Sequence, residues 1–302
     1  MRLKLPAGTI DLTSEAPAVM GILNLGHDSV ADDRRLRDAA AAVERGLRLV
    51  ADGADIVDVG AISGRTDTPA LSEADERALL VPVVRELAAA GVVVSVDTWR
   101  PSVVDAVIEA GAAIVNDVSG LADIEVARLA AQAGVGLVVM HTGAPPKQRL
   151  FVADPEPAQT VIDFLAERIA QARAAGVAES ALIVDPGLDY TKTPAQTLEV
   201  LRDLRRVGQL GRPVLLAVSR KYFVGMLTGR PPLERLAGTL AALQFGIAQG
   251  AAIVRVHDVA ATVDFLRVSR ALTDPGAVEL RGDPGDERLM WLAPGEARAQ
   301  AR

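Results

Sequence analysis

The chain has 302 residues, half of them hydrophobic but only 3% aromatic, with a formal net charge of −7 and no cysteine. That balance excludes a nucleic-acid surface, which needs a basic stripe, and the missing cysteines exclude a disulfide framework or a thiolate metal site. No apolar stretch reaches the roughly 18 residues of a membrane span. With a start that lacks a secretory pattern, the expected compartment is the cytoplasm.

Residues 2–12 alternate, with Leu3 and Leu5, then Pro6-Ala7-Gly8, then Ile10 and Leu12. This predicts a β-hairpin of the kind that plugs the bottom of a barrel. Eight short apolar runs follow: Val19–Leu23, Ile56–Val59, Val92–Val96, Ala112–Val115, Gly136–Met140, Ala181–Val184, Val214–Val218 and Ala252–Val254. Continuous aliphatic runs are the mark of buried parallel strands, which need long and usually helical crossovers. Helices are predicted over 36–52, 73–90, 102–110, 124–133, 159–175, 193–208, 232–250 and 260–272. The first five end at Gly53, Gly91, Gly111, Gly134 and Gly176, the expected C-terminal punctuation. The expectation is a (β/α)₈ TIM barrel with an N-terminal hairpin over residues 1–273, then an extended or mobile tail over 274–302. Barrel chemistry sits where strands end, so the loops 26–35 and 61–72 and the residues ending each run are candidate site elements.

Those terminal residues form two sets. Asp97, Asn116 and Asp185 can converge on a flat, donor-rich heterocycle, with Lys221 donating to a ring carbonyl or nitrogen. The competing reading of any one of these Asp residues is a cap on the next helix. Arg65, Arg220, Lys221, Arg255 and His257 form a cationic set. Arg255 and His257 alternate on one strand and so face one side. An Arg there needs a phosphate or pyrophosphate, or a carboxylate such as Asp58 or Asp258. His141 reads equally as a ligand contact or a core histidine. The sequence has no Gly-x-Gly-x-x-Gly opening a helix after the first strand, no Walker lysine, no His-Glu-x-x-His and no Gly-x-Ser-x-Gly. A hard cation held by Asn24 and a bound pyrophosphate fits the remaining chemistry.

The residues Met20-Gly-Ile-Leu-Asn24 with Asp28-Ser29, Asp58-Val-Gly60, Ser95-Val-Asp97-Thr98 and Ile114-Val-Asn116-Asp117 resemble, in order, blocks of the dihydropteroate synthase family. Met140-His141, Asp185-Pro-Gly187, Ser219-Arg-Lys221 and Arg255-Val-His257-Asp258 continue the series, so the resemblance spans roughly residues 18–270. It implies a homodimeric (β/α)₈ barrel that joins 6-hydroxymethyl-7,8-dihydropterin pyrophosphate to p-aminobenzoate with Mg²⁺. By the same resemblance Asp97, Asn116, Met140, Asp185 and Lys221 hold the pterin. Asn24, Arg65, Arg255 and His257 bind the pyrophosphate, and Asn24 helps bind the metal. Ser63, Tyr190, Ser219 and Arg220 line the p-aminobenzoate side, and Arg65, Lys221, Arg255 and His257 carry the catalytic roles. Lys192 matches a basic position after the sixth strand.

Two loops depart from the family pattern. Where the family reads Asn-Val-Thr-Pro-Asp-Ser-Phe-Ser-Asp, this chain has Asn24-Leu-Gly-His-Asp-Ser-Val-Ala-Asp32. Where it reads Gly-Glu-Ser-Thr-Arg-Pro-Gly, this chain has Ala61-Ile-Ser-Gly-Arg-Thr-Asp67. These changes imply altered amine selectivity or sulfonamide sensitivity. They favour one rival reading, a pterin-binding paralogue without synthase activity; a second rival is a methyl-tetrahydrofolate-binding methyltransferase domain, a related barrel that keeps the pterin Asp/Asn set. The retained Asn24, Arg65, Lys221, Arg255 and His257 oppose the first, and the Ser-Arg-Lys and Arg-Val-His-Asp blocks oppose the second.

Overall fold

The structure is a computed structural model of the whole chain and describes residues 1–6, 8–13, 15–26, 39–62, 71–148, 150–151, 153–279, 281–282 and 289. Strands β1 (Arg2–Leu5) and β2 (Gly8–Asp11) form an antiparallel hairpin with Leu3 opposite Ile10. Its ends are tied by Met1 and Leu12, which exchange backbone hydrogen bonds. Eight parallel strands then close into a barrel in the order β10-β3-β4-β5-β6-β7-β8-β9. They are β3 (Ala18–Asn24), β4 (Ile56–Gly60), β5 (Val94–Asp97), β6 (Ile114–Asp117), β7 (Gly136–Met140), β8 (Leu182–Asp185), β9 (Val214–Leu216) and β10 (Ala251–Val256). Each lies within two or three residues of an aliphatic run, because a strand covered on both faces carries Val, Ile and Leu at every position.

Helices α1 (Ala39–Ala51), α2 (Glu73–Ala89), α3 (Pro101–Glu109), α4 (Ile124–Ala133) and α5 (Pro157–Ala174) alternate with the strands as expected. The next predicted helix, 193–208, is instead two: α6 (Pro194–Arg202) and α7 (Leu204–Gly208). Asp203 leaves helical geometry (φ −94°, ψ 12°) and serves as the C-cap of one and the N-cap of the other. Helix α8 (Tyr222–Thr228), which the sequence pattern did not reveal, follows β9 and ends on Gly229 in the left-handed region (φ +70°). A 3₁₀ turn over Pro232–Glu234 precedes α9 (Leu236–Ala248). Helix α10 (Val259–Thr273) completes the series.

The chain divides into two compact units, Met1–Asp264 and Phe265–Arg302. In the first, Leu3, Leu5 and Leu12 from the hairpin segment join Ala18, Met20, Ile56, Ile114, Val138, Ile183, Leu215 and Ile253 in one buried cluster. The hairpin thus plugs the N-terminal end of the barrel with apolar side chains, and the site is left to the C-terminal end. The second unit carries the last turns of α10 and a 3₁₀ turn at Pro275–Ala277. Most of the tail over 274–302, including 290–292, lies outside the described residues.

Candidate active site

The side chains at the C-terminal end of the barrel interlock around Asp58. Asp58 is the third residue of β4, fully buried, and faces inward from an otherwise apolar strand. One carboxylate oxygen accepts the Ser95 hydroxyl at 2.6 Å. The other accepts the Asn116 amide at 3.2 Å and Arg255 Nε at 2.6 Å. Arg255 also reaches Asp97 at 3.0 Å. A buried charge persists only when paired and hydrogen-bonded, and here one guanidinium serves two carboxylates. Burial would depress the Arg255 pKa, but Asp58 and Asp97 more than offset it, so it stays cationic. Asp97 is pushed up to about 7 by burial, which outweighs the pull of Arg255, with Asp58 adding repulsion. Beside this cluster, buried Glu76 of α2 accepts the Thr98 hydroxyl (2.7 Å) and the Arg100 guanidinium (2.9 Å), fixing the segment that follows Asp97.

A second group lies across the mouth. Asp185 ends β8 and turns one oxygen to the Gly187 N–H at 2.7 Å. Burial raises its pKa, against the Gly187 bond and the cations Lys221, Arg255 and Lys192. The Lys221 ammonium sits 4.4 Å from the centre of the Tyr190 ring, a cation–π contact. Burial pushes the Tyr190 phenol up, with repulsion from Asp97 next. Lys192 is only 4% exposed, and its ammonium meets His141 Nδ1 at 2.8 Å and the carbonyls of Gly187 at 2.9 Å and Tyr190 at 3.2 Å. Burial brings Lys192 down to about 7. His141 is held down to about 3 by burial and by the Lys192 charge. Its ring packs edge-on against Phe164 at 4.9 Å, so His141 is a satisfied core histidine that anchors a loop. Met140, beside it in β7, is buried (1% exposed) and pairs in register with Asp185.

The third group surrounds His257. The Ser219 hydroxyl accepts the His257 backbone N–H at 3.1 Å and lies 2.9 Å from its Nδ1. The paired contacts fix the His257 ring against Ser219 through Nδ1. Burial, then Arg220, Arg255 and Lys221, hold His257 down to about 3, so the ring is neutral. Arg220 grips Asp258 through two nitrogens at 2.6 and 3.1 Å. A cleft of about 460 Å³ opens here, lined by Ile22, Arg45, Asp52, Arg220, Leu233, His257, Asp258 and the first turn of α10. Asn24 ends β3 in register with Gly60. A Cβ on Gly60 would lie 3.7 Å from Asn24 Oδ1 and 3.9 Å from Asp97 Cγ, so the missing side chain lets these two groups face one space.

The fold therefore gathers Asn24, Asp97, Asn116, Met140, Asp185, Tyr190, Ser219, Lys221, Arg255 and His257 at one end of the barrel. Ser63 and Arg65 lie outside the described residues, as do most positions of the two divergent loops. Sequence reasoning gave Asp58 as one possible partner for Arg255 and as part of a family block, and did not foresee its position at the centre of the network. A lone Asp within an aliphatic run was the available signal. Lys192 was noted by resemblance alone, because nothing in a single sequence marks a lysine as buried. Among the described residues no group of three or more His, Asp or Glu side chains could hold a metal by itself.

Comparison with known proteins shows the family of the chain. Residues 20–257 match the family model described as pterin binding enzyme. The chain belongs to the dihydropteroate synthase family. Its members are transferases of folate biosynthesis, and this chain is an enzyme of that type. It is 41% identical to the dihydropteroate synthase of Mycobacterium leprae over 85% of its own length and 94% of the relative's. The Xanthomonas albilineans dihydropteroate synthase, solved with 4-aminobenzoic acid, superposes with a TM-score of 0.83 at 37% identity, covering 90% of this chain and 98% of that one. The same enzyme in complex with 7,8-dihydropteroate gives a TM-score of 0.80 at 37% identity, over 91% and 99%. Among the described residues no helix is long and apolar enough to cross a membrane.

Proposed function

We propose that this dihydropteroate synthase-type enzyme joins 6-hydroxymethyl-7,8-dihydropterin pyrophosphate to p-aminobenzoate, acting as a cytoplasmic homodimer. The observation that carries the reading is the ring of strand-end groups in which Asp58, Asp97, Asn116, Asp185, Lys221 and Arg255 meet. A pterin presents a guanidine-like edge of N–H donors beside a ring carbonyl. Asp185 and Asp97 offer acceptors to that edge, Asn116 offers both kinds of group, and Lys221 donates to the carbonyl or a ring nitrogen. Met140 lines the same space. With its pKa pushed up to about 7, Asp97 can change protonation state as the ligand arrives.

The reaction breaks the bond between the pterin methylene carbon and the pyrophosphate oxygen and forms a carbon–nitrogen bond to the arylamine, whose proton is lost to solvent or phosphate. Departure of the leaving group is favoured by fixed donors aimed at the developing charge. His257 and the first turn of α10 line the cleft where the phosphates would lie, with Arg45 and Arg220 beside Asp52 and Asp258 on its wall. The Arg255 guanidinium, bound to Asp58 and Asp97, and Arg65 are the other cations assigned to the pyrophosphate by motif. Ser219 and Tyr190, with Ser63, are the assigned amine side; Arg220, assigned there by resemblance, is instead turned to Asp258 on the wall of the His257 cleft. Asn24 would contribute one neutral oxygen to a Mg²⁺ ion, a donor set that fits only an ion whose shell is completed by phosphate oxygens and water. Such an ion would neutralise pyrophosphate charge.

The homodimer is supported by an apolar groove between α6, α8 and α9, lined by Leu198, Leu201, Phe223, Val224, Leu227 and Phe245. Leu227 in this lining is 65% exposed, and Met226, also in α8, is 58% exposed. The divergent loops add the reading that amine selectivity or sulfonamide sensitivity differs from the family's usual behaviour. Incubating the protein with the pterin pyrophosphate, Mg²⁺ and p-aminobenzoate should release pyrophosphate and form dihydropteroate in equal amounts. Tight pterin binding without turnover would instead support the non-catalytic paralogue.

A further inference from the structure

The loop from Asp185 to Thr193 places three residues in the left-handed backbone region: Gly187 (φ +63°), Asp189 (φ +65°) and Thr191 (φ +53°). At Gly187 only glycine fits, because a Cβ there would stand 1.9 Å from the His141 carbonyl oxygen. Asp189 is different. Glycine would adopt this conformation with less strain, so the backbone does not call for an aspartate. The side chain does connect two loops. Its Oδ2 accepts the Phe223 backbone N–H at 3.1 Å, and its Oδ1 accepts the Thr197 hydroxyl at 3.2 Å. Phe223 lies in the first turn of α8, whose N-cap residue, Lys221, makes no side-chain capping bond. First-turn N–H groups need partners from outside their helix, and here one comes from the β8–α6 loop.

We infer that Asp189 is the positioning residue for Lys221, pinning the start of α8 across two loops so that the Lys221 ammonium stands over Tyr190 and towards Asp185. Electrostatics add to the geometry. Burial lowers the Lys221 pKa, and Asp189 leads the charges that oppose this, ahead of Asp185 and Asp97, while Arg255 works against them. The other titratable groups facing Lys221 are Lys192, His257 and Tyr190. Asp189 thus both aims the ammonium and opposes the burial that lowers its pKa.

The inference rests on the reading of Lys221 as a pterin contact, so its test carries a control for that reading. Asp189→Gly, Asp189→Asn and Lys221→Ala are compared in the full chain by calorimetric binding of the pterin pyrophosphate and by steady-state kinetics. Glycine relieves the backbone strain and removes the anchor. Asparagine tolerates the left-handed region and keeps an acceptor for the Phe223 N–H but loses the charge. Asp189→Gly should weaken pterin pyrophosphate binding about tenfold, the scale of one charge-assisted hydrogen bond, with the p-aminobenzoate KM within about twofold. Asp189→Asn should recover most of that affinity at pH 7. In both variants the alkaline limb of kcat/KM for the pterin substrate should move to lower pH, since the leading charge that raises the Lys221 pKa is gone. If Asp189→Gly leaves the affinity and the alkaline limb unchanged while Lys221→Ala loses the pterin, the positioning role is wrong and the pterin site stands. If Lys221→Ala binds the pterin normally, the underlying reading fails. Equal loss of both substrates in both Asp189 variants, with a lowered thermal midpoint and no pH shift, overturns the inference in favour of a merely structural role.

Discussion

At the N-terminal end of the barrel, Leu3, Leu5 and Leu12 close the interior with aliphatic carbon against Met20, Ile56 and Ile114. At the C-terminal end, the same strands point Asp58, Asp97, Asn116, Asp185 and Arg255 into the lumen. The first end gains stability from apolar burial without directional demands. The second carries buried charges whose mutual bonds only partly offset their desolvation, as the raised pKa values of Asp97 and Asp185 show. One barrel therefore separates stability from chemistry along its axis, and substitutions at the two ends should separate in the same way.

The largest effect is expected at the junction of the charge network. Arg255→Ala leaves Asp58 and Asp97 buried without their cation, which should cost about 3–5 kcal/mol of stability in urea unfolding. Under stabilising conditions it should weaken pterin pyrophosphate binding more than binding of the pterin alone; equal losses would remove Arg255 from the pyrophosphate site. Leu3→Ala, at the opposite end, should cost about 2–5 kcal/mol through lost packing and a residual cavity, with kcat/KM of the folded enzyme unchanged. A drop in kcat/KM without a stability loss would break the separation of the two ends.

A smaller effect is expected at Asp117, which ends β6 with one oxygen bound to the Ser119 N–H and the other buried without a partner. Burial, opposed by those local bonds, pushes its pKa up to about 6. A carboxyl whose folded pKa lies above the unfolded one holds its proton more tightly when folded. Its contribution is fully present below about pH 4, near the unfolded value, and is lost as pH rises through about 6. Asp117→Asn should flatten that part of the stability curve, measured by urea unfolding between pH 4 and 7. A curve parallel to that of the unsubstituted protein would mean Asp117 is not protonated there.

The barrel was legible because buried parallel strands write themselves as uninterrupted aliphatic runs, and because Gly53, Gly91, Gly111, Gly134 and Gly176 mark where helices end. Helix α8 was not, since seven residues hold too few turns for an apolar period to emerge. The break at Asp203 was hidden too, because a helix-compatible residue stands where the chain turns. Among site residues, those ending the runs were visible. The network that joins them was not, for Arg255 and Asp58 are 197 positions apart and meet only when the barrel closes. Lys192 and Asp189 were obscure for a related reason: a charged residue in a loop looks solvated until its neighbours fold over it.

Asp185→Asn tests the division between the two ends most directly. Asparagine can keep the acceptor used by the Gly187 N–H while removing a carboxylate whose charged form burial disfavours. Pterin affinity, measured by calorimetry, should fall by about 1.5–3 kcal/mol, the scale of a hydrogen bond to a charged group, while the thermal midpoint at pH 7 stays level or rises. Unchanged pterin affinity together with a lowered midpoint would contradict the account, because Asp185 would then support the fold rather than the site.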